Sequence, residues 1–97
     1  MPTENELNAA RVELEIANDN YAALANKYNM YQKTFEAYAN ATPEQQAKAS
    51  GVMKEALANY EKLRLDMYAA EDRIQQAQNA VNALNEQVAL QQAAVSR

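Results

Sequence analysis

Asn40-Ala41-Thr42-Pro43-Glu44 brings a helix-stop signal against a helix-start signal. Asn40 is a residue that can take the left-handed conformation closing a helix. Thr42 suits an N-cap, and Gln45 stands three residues later to complete a capping box. Pro43 falls at the first helical position, where its missing N–H costs nothing, and it pushes Thr42 out of the α region. The stretch predicts that the chain folds back here into two antiparallel helices.

The sequence on either side carries a seven-residue apolar period. With Leu7 at position a, Leu14, Tyr21, Tyr28 and Phe35 follow at a, while Ala10, Ala17, Leu24, Tyr31 and Tyr38 fall at d. This predicts a helix over about 4–40, about 55 Å long. A second helix is predicted over about 43–96, with residues 40–43 as the turn. Its a positions are Met53, Tyr60, Met67, Ile74, Val81, Val88 and Val95, and its d positions are Ala49, Ala56, Leu63, Ala70, Ala77, Leu84 and Gln91. Ser50-Gly51 is its weak spot, because glycine inside a helix costs about 1 kcal/mol. A kink or a late start at Ser50 is the expectation there.

Folding about Thr42 sets Leu7 opposite Ala77, Tyr21 opposite Leu63, Leu24 opposite Tyr60 and Tyr28 opposite Ala56. Most rungs then join a large side chain to a small or flexible one. Arg11 falls near Glu71, and Glu13 near Arg73. A slip of one heptad keeps the stripe and opposes Lys27 to Asp66, but moves the turn into residues 44–47. The Thr42 register is preferred. In it residues 84–97 overhang the first helix by about 20 Å, with only two charged side chains among them.

The predicted fold is therefore all-α: a two-helix antiparallel coiled-coil hairpin with unequal arms, in one domain over 1–97. Ninety-seven residues in such a hairpin bury little core. No cysteine is present to staple it and no convincing metal site appears, so bundling of two to six copies into an oligomer is expected. Apolar side chains outside the seam point the same way. The first helix has a second stripe at position c through Ala9, Ile16, Ala23, Met30 and Ala37. Leu57, Leu65, Tyr68 and Leu90 lie off the seam of the second. The partner-binding residues expected from this pattern are Ile16, Met30, Leu65, Tyr68, Leu84, Val88, Leu90 and Val95.

Several function classes drop out. The net charge of -4 gives no electrostatic footprint for nucleic acid. Histidine and cysteine are absent, which removes the commonest general base, metal ligand and thiolate nucleophile. Glu4/Glu6, Glu13/Glu15 and Glu71/Asp72 are too close in sequence to face each other on a helix, so they read as solvated faces. No apolar run reaches the length of a membrane span. The start, Met1-Pro2-Thr3-Glu4-Asn5-Glu6, is polar and acidic, unlike a signal peptide. Cytoplasmic synthesis without a signal peptide is expected, as are no enzyme activity, no cofactor and no metal.

Two motifs read as structure. Asn40-Ala41-Thr42 is a glycosylation sequon, but Pro43 follows directly and the residues serve capping. Tyr21, Tyr28, Tyr31, Phe35 and Tyr38 crowd the turn-proximal half of the first helix, as seam residues or as an aromatic groove for a partner. A third motif, Tyr68-Ala69-Ala70-Glu71-Asp72, has a Tyr-x-x-x-Asp spacing that resembles the export signal of small helical-hairpin proteins secreted by type VII systems. Those proteins carry Trp-x-Gly at the turn; this chain has no tryptophan, and its spacing falls mid-helix.

Asn and Gln supply twenty residues, a polar but weakly charged surface suited to burial among subunits. The function expected is a non-enzymatic structural subunit of a larger assembly, such as a minor virion or appendage component, with virion localisation. Its partners are further copies of the chain, other proteins of the assembly, or both. The alternative is a helical adaptor or secretion-chaperone-like module that holds a partner helix.

Overall fold

The computed structural model describes residues 2–95 and is all-helical: α1 spans Pro2–Ala39 and α2 spans Pro43–Val95. Among the described residues there is no strand. The two helices form a hairpin whose arms are 38 and 53 residues long.

The turn follows its local chemistry at one end and departs from it at the other. Thr42 and Gln45 form the predicted capping box: the Gln45 N–H donates to Thr42 Oγ1 at 3.2 Å, and the Thr42 N–H donates to Gln45 Oε1 at 3.1 Å. The first helical bond of α2 runs from the Gln46 N–H to the Thr42 carbonyl at 2.9 Å. Asn40, however, does not adopt the left-handed conformation, since no residue other than glycine has positive φ among the described residues. Instead α1 tightens its last turn. The Asn40 N–H reaches the Glu36 carbonyl and the Ala41 N–H reaches the Tyr38 carbonyl, both at 3.1 Å. The Gln46 side-chain amide also donates to the Tyr38 carbonyl at 2.9 Å. A side chain of α2 thus satisfies a terminal carbonyl of α1, which removes the need for a left-handed closing residue.

α2 starts at Pro43 and runs unbroken through Ser50-Gly51, against the expected late start or kink. The Ser50 hydroxyl is absorbed by the Ala47 carbonyl at 3.0 Å. Gly51 is exposed and in helical conformation, so its cost is one of propensity alone.

Burial reproduces the seven-residue period. On α1 the a and d positions from Leu7 to Tyr38 are buried or half-buried, and on α2 the same holds from Ala49 to Val88. Leu7, Ala17, Leu63, Ala70 and Val81 are the buried positions. Gln91 and Val95, which continue the pattern in sequence, are exposed.

The chain resolves into two compact units. One joins residues 1–20 to 70–97 and the other is the turn-bearing stretch 21–69. In the turn-bearing unit the seam is aromatic. Tyr60, expected opposite Leu24, packs instead on Tyr28 (ring centroids 5.1 Å, stacked), Phe35 (5.3 Å, edge-on) and Tyr31 (6.3 Å, edge-on). These three residues line one face of α1, as a knob-into-hole contact requires. In the other unit Glu13 meets Arg73 at 3.9 Å, as expected, but Arg11 reaches Asn85 at 3.3 Å and Gln91 reaches Thr3 at 3.0 Å.

These contacts correct the preferred register. Apart from Glu13–Arg73, these side chains meet further along α2 than a fold about Thr42 places them. Part of the reason is that side chains on a helix lean toward their own N-terminus. In an antiparallel pair both sets lean so that meeting residues carry higher numbers than straight-across pairing gives. Within the segment expected to overhang, 84–97, the residues from Gln91 to Val95 are exposed. Leu84 and Val88 are half-buried, and α2 lies beside the first turns of α1 as far as Gln91. Ser96 and Arg97, at the end of that segment, lie outside the described residues.

Candidate contact surfaces

With the seam occupied, the apolar side chains left over are those at other heptad positions. In the unit containing both helix ends, Val12 and Ile16 are exposed on α1, and Leu90 and Val95 on α2. Val12 and Ile16 are four residues apart and so adjoin on one helix face. In the turn-bearing unit Met30 is exposed on α1, and Val52, Leu57, Leu65 and Tyr68 on α2.

Of the partner-binding residues expected from sequence, Ile16, Met30, Leu65, Tyr68, Leu90 and Val95 thus stand in solvent. Leu84 and Val88 are drawn into the seam instead. Val12 and Val52 join the exposed set although they lie outside the stripe at position c. The signal for Val12 is its place one turn before Ile16. Val52 sits at g, next to the seam residue Met53, and no periodic signal marks it.

The tyrosines of α1 are seam residues. Tyr21, Tyr28, Tyr31, Phe35 and Tyr38 are half-buried, and Tyr31 also stacks on Phe35 at 6.3 Å. A side-chain hydrogen bond with Tyr60, then burial, pushes the Tyr28 phenol above its ordinary value. Arg64 donates to the Tyr68 hydroxyl at 3.5 Å, and this partner raises its already high pKa further. Tyr68, first residue of the Tyr-x-x-x-Asp spacing, lies within α2, so that pattern is helical throughout.

Next to the aromatic seam an open groove of about 420 Å³ is lined by Lys27, Met30, Tyr31 and Thr34. The Thr34 hydroxyl is turned back onto the Met30 carbonyl at 3.0 Å, so its one donor is used within the helix. A second groove holds Lys27 and Asp66 together with Leu24, Tyr31, Asn59, Lys62 and Leu63. That is the one ionic pairing expected of the slipped register.

Among the described residues no group of three or more acidic side chains could hold a metal ion. None of the buried side-chain polar atoms there lacks a hydrogen-bond partner. Amide side chains are used along the helix: Gln75 donates to Asn79 at 2.9 Å and Gln78 to Asn82 at 3.0 Å, both one turn ahead. No described helix is long and apolar enough to cross a membrane.

Comparison with protein-family models, with curated proteins and with solved structures finds no match to this chain.

Proposed function

We propose that the chain is a non-enzymatic structural subunit of a larger protein assembly, working through helix packing against further copies of itself, other proteins of the assembly, or both. A minor virion or appendage component is the kind of protein meant, and bundled hairpins the form of the oligomer. The observation that carries this reading is the balance of apolar burial. Among the described residues Leu7, Leu63 and Val81 are buried and the other large seam side chains mostly half-buried, while Val12, Ile16, Met30, Val52, Leu57, Leu65, Tyr68, Leu90 and Val95 are exposed outside the seam. Isolated exposed apolar residues are ordinary; a two-helix hairpin that leaves this many large ones outside its seam offers apolar surface that association can bury.

The groove beside Met30 favours a second reading, an adaptor or secretion-chaperone-like module that accepts a partner helix there. Static light scattering on the purified chain separates the two. A stable homo-oligomer supports the structural subunit. A monomer of 10.8 kDa that gains mass only with a client supports the adaptor.

A further inference from the structure

We infer that a second copy of this chain docks antiparallel along α1, so that the Met30 groove of each copy receives the Val12–Ile16 patch of the other. The inference rests on the assembly reading above and names the contact that reading leaves open. Two patches of opposite character carry it. The first, in the unit holding the helix ends, is Val12 and Ile16, with the exposed carboxylates Glu13, Glu15 and Asp19 around them. The second, in the turn-bearing unit, is Met30 in its groove, 68% exposed, with Lys27 in the wall and Lys33 exposed three residues on.

The two patches match in register as well as in charge. Setting Met30 between Val12 and Ile16 of the other copy brings Lys27 level with Glu15 and Asp19, because both sets are displaced by the same three residues. The same fit brings Lys33 level with Ala9 and Glu13. In a parallel arrangement the acidic patches of the two copies would instead lie side by side, and like charges juxtaposed across an interface disfavour it. Each patch is complementary to the other and not to itself. An antiparallel pair therefore makes the contact twice.

A charge exchange on the full chain tests this. Variant one is Lys27→Glu; variant two is Glu15→Lys with Asp19→Lys. All three side chains are exposed, and circular dichroism confirms that each variant keeps its helices. By sedimentation, each variant alone should associate about tenfold or more weakly than the unaltered chain. A one-to-one mixture should recover association, because each copy then offers the other an opposite charge at both contacts. Association of the unaltered chain should also weaken as salt rises from about 0.05 to 0.5 M. Variants that associate as well as the unaltered chain, or a mixture that fails to recover, overturn the inference and leave the assembly reading standing. An unaltered chain that stays monomeric to about millimolar concentration overturns both.

Discussion

Tyr60 of α2 stacks on Tyr28 of α1 with ring centroids 5.1 Å apart and planes inclined by 27°. Phe35 closes on the same ring edge-on at 5.3 Å, its plane at 88°. Aromatic pairs contribute about 0.5–1.5 kcal/mol beyond the area they bury. Tyr60 is the ring on which Tyr28, Tyr31 and Phe35 all converge. Tyr60→Ala should accordingly destabilise the hairpin by about 3 kcal/mol in urea unfolding, whereas Leu57→Ala, at an exposed site nearby, should stay within about 0.5 kcal/mol. Equal effects would mean that the cluster adds nothing to the fold.

The Tyr28 phenol gives the cluster a pH dependence. Its pKa is raised in the folded chain by the Tyr60 hydrogen bond and by burial, so the fold holds this proton more tightly than the unfolded chain does. The corresponding stability is fully present below the ordinary phenol value of about 10 and is lost as pH climbs through the folded value. Melting temperature followed from about pH 8 to 12 should fall more steeply for the unaltered chain than for Tyr28→Phe. Parallel curves would remove Tyr28 from the linkage.

Register is checked by crosslinking. Tyr28→Cys with Tyr60→Cys should oxidise readily, since these two side chains meet across the seam. Leu24→Cys with Tyr60→Cys, the pair that a fold about Thr42 sets opposite, should oxidise slowly. The reverse order of rates would restore the Thr42-centred register.

Much of this fold is legible along the chain, and the residues show why. The a and d positions from Leu7 to Val88 are the ones the structure covers, because a seven-residue period has one solution on a helix. Thr42 and Gln45 cap α2 through contacts three residues apart, which sequence spacing alone specifies. What spacing does not specify is a contact between distant residues. Gln46 satisfying the Tyr38 carbonyl, and Tyr60 choosing Tyr28 and Phe35 over Leu24, depend on how far one helix slides along the other. The a/d stripe is indifferent to a slide of one heptad, so it leaves the register and the fate of Leu84 and Val88 underdetermined. The exposed faces are legible where they repeat, as at Ile16 and Met30, and hidden where they do not, as at Val52.

Two local changes test the backbone reading of α2 with opposite signs. Thr42→Ala removes the acceptor for the Gln45 N–H and should cost about 1 kcal/mol. Gly51→Ala should stabilise by about 0.5–1 kcal/mol, because the position is helical and a Cβ there meets no atom within 4 Å. Thermal unfolding of the two variants measures both; a destabilising Gly51→Ala would mean that the helix is not continuous at this point.

The division of labour between seam and faces is tested most directly by the same substitution two residues apart. Leu63 is 6% exposed and Leu65 is 68% exposed. The measurement is helix melting in dilute solution together with molar mass by sedimentation at high concentration, for Leu63→Ala and Leu65→Ala. Leu63→Ala should lose about 2–5 kcal/mol of stability. Leu65→Ala should melt as the unaltered chain does and associate more weakly. A Leu65→Ala chain whose melting falls as far as that of Leu63→Ala, or whose association is unchanged, would contradict the assignment of folding to the seam and assembly to the exposed faces.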